Sequence, residues 1–278
     1  MPNVLVTGTS TGIGRAAAVE LAKRGWHVFA TMRNPAKSGS LVSALEEAGV
    51  RNNVEIGPLD VTQPGSIKAA VATTLAQSRG VLDAVVHNAG VAVGGAFEDL
   101  PDADMRRVME TNFFGVLALT RALLPTFRAQ GRGRILIVSS EAAFFGQPGN
   151  SIYSASKWAI EGWAEAIAYE VAQFGIEVIL VEPGPYQTNI WESSERIRPA
   201  DSPYRFWAQK LFLAADQHVE ATARDPAEVG RAIANTLEAR RPRFRNPVGP
   251  FSRLNHALRG KIPSRLLRFG ISRYLGIS

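Results

Sequence analysis

Three side chains near the middle of the chain could do proton chemistry together: Ser140, Tyr153 and Lys157. In a helical segment Tyr153 and Lys157 stand at i and i+4 and project from one face, so a phenol and an ammonium share one small volume. A free tyrosine has a pKa of roughly 10 and is a poor base at neutral pH, whereas a nearby cation favours the phenolate and lowers that value. A tyrosine tuned in this way passes a proton to or from a substrate oxygen. The same spacing also arises by chance on ordinary solvated helices, at a rate of about 0.1 in a chain of this composition. The pair therefore needs a cofactor, a substrate and a fold that brings Ser140 alongside.

The elements around the pair supply those requirements in order. Val4-Leu5-Val6 reads as a buried strand and runs directly into Thr7-Gly8-Thr9-Ser10-Thr11-Gly12-Ile13-Gly14 and a helical pattern over 15–24. Strand, glycine turn and helix point free backbone N–H groups and a positive helix end at an anion. Glycines at 8, 12 and 14 permit the tight turn and the close approach of a pyrophosphate, although glycines serve any sharp corner equally well. A second strand, 27–31, ends in Met32-Arg33-Asn34 with no acid. An Asp or Glu there suits a ribose 2′-hydroxyl and an Arg suits a 2′-phosphate, so Arg33 predicts NADP(H) in preference to NAD(H).

Helical and strand patterns then alternate: helix 39–49, strand 54–59, helix 64–79, strand 82–87, a long helix 102–129, strand 134–138, helix 151–174 and strand 176–181. Strands separated by helices of this length predict parallel βαβ units. Asp60, Asn88-Ala89-Gly90 and Ser140 all follow strands, on the carboxyl edge where such sheets bind ligands. His87 has no second ligand at metal spacing and reads as a packing residue, and no metal site is expected. Asn112 in mid-helix is unfavourable by propensity, though a solvent-facing Asn would explain it. Pro183-Gly184-Pro185 ends the sixth strand, and 186–222 loses clear periodicity while carrying Tyr186, Ile190, Trp191, Tyr204, Phe206, Trp207 and Phe212. These side chains suggest a lid over an apolar substrate, or equally a small core under a long loop.

With 278 residues, 46% hydrophobic and 20% charged, the chain fits one α/β domain. It has no Cys, which excludes thiolate chemistry and disulfides. No signal peptide or run of about 18 apolar residues is evident, so a cytoplasmic protein is the default expectation. The net charge of +6 is local. Ten of the 31 Lys and Arg residues fall between Arg240 and Ser278 with no Asp or Glu among them, leaving 21 bases against 25 acids in the body. A helical stripe over 264–275 sets Leu267, Ile271, Tyr274 and Leu275 largely opposite the arginines, a pattern that docks on its own protein or a partner subunit, or lies on an anionic membrane surface. No nucleic-acid-binding module is present.

Taken in order, Thr7-Gly8-x-x-x-Gly12-Ile13-Gly14, Asp60, Asn88-Ala89-Gly90, Asn112, Ser140, Tyr153-x-x-x-Lys157 and Pro183-Gly184 resemble the short-chain dehydrogenase/reductases over residues 3–190, with a flavour of their 17β-hydroxysteroid and retinol dehydrogenase branch. The resemblance implies a doubly wound parallel (Rossmann) sheet of about seven strands. On the residues themselves the chain divides into a single domain, 1–240, with 186–222 as a substrate lid, and a basic helical extension, 241–278, that matches no general pattern of the family. The resemblance further implies a catalytic tetrad of Asn112, Ser140, Tyr153 and Lys157, with Asn112 holding a water that connects Lys157 to solvent. The cofactor contacts it implies are Gly8, Ser10, Thr11, Gly12, Ile13, Gly14, Arg33, Asp60, Val61, Asn88, Ala89, Gly90, Tyr153, Lys157, Pro183, Gly184 and Thr188. Within that set Asp60 meets the adenine and Asn88 steadies the central strands. His87 departs from the family, which usually begins this motif with Asn. The implied activity is hydride transfer between NADP(H) and an alcohol/carbonyl pair on a hydrophobic substrate, in a homo-oligomer built on the two long helices. A protein that keeps the fold and answers to a dinucleotide without catalysis is the alternative.

Overall fold

A computed structural model describes residues 1–188, 190 and 194–275. Seven strands form one sheet: β1 (Asn3–Thr7), β2 (His27–Met32), β3 (Val54–Pro58), β4 (Ala84–His87), β5 (Gly133–Val138), β6 (Ile176–Pro183) and β7 (Arg245–Val248). Their order is β3-β2-β1-β4-β5-β6-β7, and every pairing is parallel. Strand order reverses direction between β1 and β4, which opens a crevice at their carboxyl ends.

The strands read as continuous apolar runs because both faces are covered. Val4 and Val6 of β1, Leu136 and Val138 of β5, and Ile179 and Val181 of β6 point into one core layer. Leu5, Ile135, Ile137, Val178 and Leu180 point into the other. Helices α1 (Gly12–Lys23) and α2 (Gly39–Glu47) cover the first face. On the second lie α3 (Pro64–Gln77) and the long α5 (Gly115–Gln130) and α6 (Ser151–Ala172). The helix expected over 102–129 is α4 (Asp102–Met109) joined to α5 through a π-helical turn, Glu110–Phe114, with Asn112 at its centre. Such single-turn π insertions recur at functional positions.

Three features depart from the sequence reading. The 186–222 segment holds an 18-residue helix, α7 (Arg205–Thr222), in place of an irregular loop. Only Ala208 of that helix is buried, so it lacks the apolar stripe that betrays a core helix. Tyr186, counted with the lid, is buried in the main core beneath Gly249, and Trp191 lies outside the described residues. The boundary drawn at Arg240 also falls too early. After α8 (Ala227–Glu238), β7 completes the sheet at Arg245–Val248, and only α9 (Pro250–Leu258) and α10 (Ser264–Leu275) lie beyond it. The α10 helix packs against α7; its Ile271, Tyr274 and Leu275 side chains are outside those described. Among the described residues no helix is long and apolar enough to cross a membrane.

Candidate active site

The turn after β1 is built for close approach. Gly8 and Gly12 take positive φ angles of 69° and 58°, which L side chains rarely adopt. Asn88, just after β4, locks this turn to its neighbour: its Nδ2 donates to the carbonyls of Thr7 and Gly8, each at 3.0 Å. The Thr7 hydroxyl accepts from the backbone N–H groups of Asn88 and Ala89, both at 3.0 Å. Asn88 thus ties β1 to β4, and the Thr7 hydroxyl, read in the sequence only as the start of the glycine motif, is its partner in doing so. Gly90 lies beside Asn112, where an added Cβ would stand 3.4 Å from Oδ1.

Ser140 lies two residues past the end of β5, and Tyr153 and Lys157 come from the first two turns of α6. Ser140 shares a cleft with Tyr153 and bears on its phenol, and its Oγ accepts from the Ala142 N–H at 3.1 Å. Lys157 Nζ donates to the Val138 carbonyl at 3.0 Å and lies 5.7 Å from the Tyr153 ring centre. The three predicted side chains therefore line one cleft, with Tyr153 and Lys157 buried. Asn112 is buried too, not solvent-facing. Its Oδ1 accepts from Val91 N–H at 2.9 Å, and its Nδ2 donates to Val91 O at 2.9 Å and Ser156 Oγ at 3.0 Å. Both amide hydrogens are spent, so the side chain has one Oδ1 lone pair left for a water.

Burial sets the electrostatics. It pushes the Tyr153 phenol up; the Ser140 hydroxyl opposes this and the nearby Glu141 carboxylate adds to it. The lowering expected from the Tyr153–Lys157 pairing is therefore not what the protein alone produces, because losing hydration costs the phenolate more than the distant ammonium returns. Burial also lowers Lys157 to about 8, against the upward pull of Glu161. His87 is driven to about 3 by burial, and its Nε2 shares a 3.0 Å hydrogen bond with Thr120 Oγ1. It is a neutral packing residue.

A cleft of about 550 Å³ joins these groups, a volume in the range of cofactor sites. The glycine turn, with Ser10, Thr11 and Ile13, lines it together with Asn88, Ala89 and Gly90. Tyr153, Lys157 and Ser140 stand at one end with Pro183, Gly184 and Thr188. Exposed Arg33 lies at the other, beside Asp60 and Val61. Asp60 Oδ1 is held by the Thr62 N–H and hydroxyl at 2.9 and 2.7 Å. Lys37 lines the Arg33 end as well; a second base four residues on was the available signal, and it was missed. A dinucleotide fits this shape on a structural ground: a Cβ at Gly14 would fall 2.2 Å from the Gly8 carbonyl oxygen, so the turn folds this tightly only with glycine. Ala92, Ala142 and Ile190 pack around Tyr153 as a small apolar cluster.

Comparison with known proteins places this arrangement in company. Residues 2–198 match the model of a family described as short chain dehydrogenase. The chain is 32% identical over 278 residues to a 3-ketodihydrosphingosine reductase of Bacteroides thetaiotaomicron, covering 99% of this chain and 98% of that protein. It is 35% identical over 252 residues to human retinol dehydrogenase 8, covering 87% and 79% respectively. Among solved structures, a short-chain dehydrogenase from Streptomyces avermitilis superposes with a TM-score of 0.80 at 32% identity, over 99% of this chain and 97% of that one.

Proposed function

The chain belongs to the short-chain dehydrogenase family of oxidoreductases, and on that premise we propose that it interconverts an alcohol and a carbonyl on an apolar substrate with NADP(H), using Tyr153 as the proton donor for reduction. The observation that carries this reading is one cleft lined by Ser140, Tyr153 and Lys157, by the glycine turn, and by Arg33 and Lys37. When bound, the nicotinamide cofactor supplies and accepts the hydride.

The chain's own residues then have separable tasks. The turn from Gly8 to Gly14 offers backbone N–H groups and the start of α1 to the pyrophosphate. Arg33 and Lys37 meet a 2′-phosphate, and Asp60 and Val61 border the adenine. Ser140 Oγ donates a hydrogen bond to the substrate oxygen, and Tyr153 gives that oxygen its proton as charge develops. Lys157 holds the nicotinamide ribose, and its ammonium makes the Tyr153 proton easier to lose. Asn112 acts chiefly by fixing the π turn against Val91 and α6.

The apolar cluster of Ala92, Ala142 and Ile190 around Tyr153 supports a hydrophobic substrate, as do the names of the 3-ketodihydrosphingosine and retinol relatives. Exposed aromatic residues on α6, Trp158 and Tyr169, and Phe114 in the turn that leads into α5, support pairing of two copies there. A panel of ketones, aldehydes and alcohols of increasing apolar length, read by NADPH and NADH absorbance, tests the reading. It predicts NADPH-dependent reduction that improves with apolar size. Binding of NADPH with no turnover across the panel would instead favour a dinucleotide-responsive scaffold.

A further inference from the structure

Where the chain leaves β5, two consecutive residues are held by side chains of α6: Lys157 Nζ donates to the Val138 carbonyl at 3.0 Å, and Ser139 Oγ donates to Glu161 Oε1 at 2.8 Å. The next residue, Ser140, lines the cleft with Tyr153. Glu161 stands one helical turn beyond Lys157 and is 1% exposed. Its other oxygen accepts from Arg245 Nη1 of β7 at 2.5 Å and from Arg259 Nη1, just past α9, at 3.2 Å. Arg245 also binds Glu182 of β6, which is fully buried, at 2.8 Å. The Arg259 guanidinium is further held over Trp158 and Phe144, 5.6 and 5.8 Å from their ring centres. Burying the two carboxylates, Glu161 and Glu182, against half-buried arginines costs desolvation that the attraction only partly returns, so stability alone is a poor reason to keep them.

We propose that Glu161 is a positioning residue for the reaction: it holds Ser139, and with it the Ser140 end of β5, against α6, and it keeps a negative charge one turn from the Lys157 ammonium, while Arg245 and Arg259 draw the C-terminal segment into the same circuit. This rests on the assignment of Tyr153 and Lys157 in the proposed function. Two of the ten bases in the acid-free C-terminal stretch thus act inside the protein. The charged and titratable groups facing Glu161 are Arg245 and Glu182 from the sheet, Arg259 and His256 from the C-terminal segment, and Lys157 and Glu165 on its own helix. Glu141 bears on Tyr153 from the turn after β5.

The circuit has a sign that a merely structural role lacks. Removing the Glu161 charge makes the Lys157 ammonium easier to deprotonate; removing the Arg259 charge makes it harder. The test is an NMR titration of the full chain carrying lysine labelled with carbon-13 at Cε, with the Lys157 signal identified by its loss in Lys157→Arg. The midpoint should fall by at least about half a pH unit in Glu161→Gln and rise in Arg259→Gln. The alkaline limb of NADPH-dependent reduction should move the same way in each variant. Midpoints that stay put, or that move together in one direction, overturn the proposal. If Glu161→Gln does not fold, Arg259→Gln decides alone: an upward midpoint supports the circuit and no movement refutes it. The titration needs no turnover, so a wild-type protein that reduces nothing would overturn the proposed function while leaving this result readable.

Discussion

Gly14 lies so close to Asn88 that a Cβ on it would stand 2.3 Å from Asn88 Nδ2. The same amide holds the Thr7 and Gly8 carbonyls, so there is no room for the methyl and no free rotamer for the asparagine. Gly14→Ala should destabilise the fold by about 1–3 kcal/mol through overpacking, seen as a lower urea midpoint. It should also weaken NADPH binding, measured by fluorescence titration, by more than Gly25→Ala does, although Gly25 too has a positive φ, because Gly25 has open space around it.

Arg33 and Lys37 line one end of the cleft. A lost charge-assisted phosphate contact is worth about 1.5–3 kcal/mol, and each 1.4 kcal/mol is about tenfold. Arg33→Ala should therefore raise the KM for NADPH at least about tenfold and leave that for NADH nearly unchanged, with Lys37→Ala adding to the effect in the double variant. Steady-state kinetics with both cofactors checks it, and equal changes for the two would remove the 2′-phosphate from the account.

The parts of the site that could be read in the sequence are those built within one βα unit. Gly8 to Gly14 and the Tyr153–Lys157 pair declare themselves by spacing, and alternation of apolar runs with helical patterns gives the parallel sheet. What escaped depends on residues far apart in the chain. Glu161 meets Arg245 and Arg259 from 84 and 98 positions away, and no local pattern announces such a partner. The last strand, Arg245–Val248, holds an Arg, an Asn and a Pro at the sheet edge, so it lacks the apolar run of the inner strands. The α7 helix hides for a related reason: standing off the core, it exposes Phe206 and Leu213 to solvent and shows no single buried stripe. The burial of Asn112 follows from the π turn, which periodicity does not forecast.

His87 is buried neutral, with its pKa lowered to about 3 by burial from the ordinary 6.5. Between those values the unfolded chain binds a proton that the folded chain refuses, so stability is lost as pH falls through this window. Glu182, pushed up to about 7 chiefly by burial, works in the opposite sense over the upper part of the same range. Only a comparison isolates the histidine. Between about pH 7 and about pH 5 the urea midpoint of the wild-type protein should drop relative to that of His87→Asn. Parallel curves would show that His87 is protonated in the folded state.

The central claim is that Tyr153 delivers the proton. The measurement is single-turnover reduction of the best carbonyl substrate by NADPH in Tyr153→Phe, alongside NADPH affinity. Phe preserves the ring packed against Ala92 and Ala142 and removes only the hydroxyl. The account predicts a rate loss of about 10²–10⁴-fold, the usual worth of a positioned proton donor, with NADPH binding within a few-fold of wild type. Near-normal reduction in that variant would contradict it.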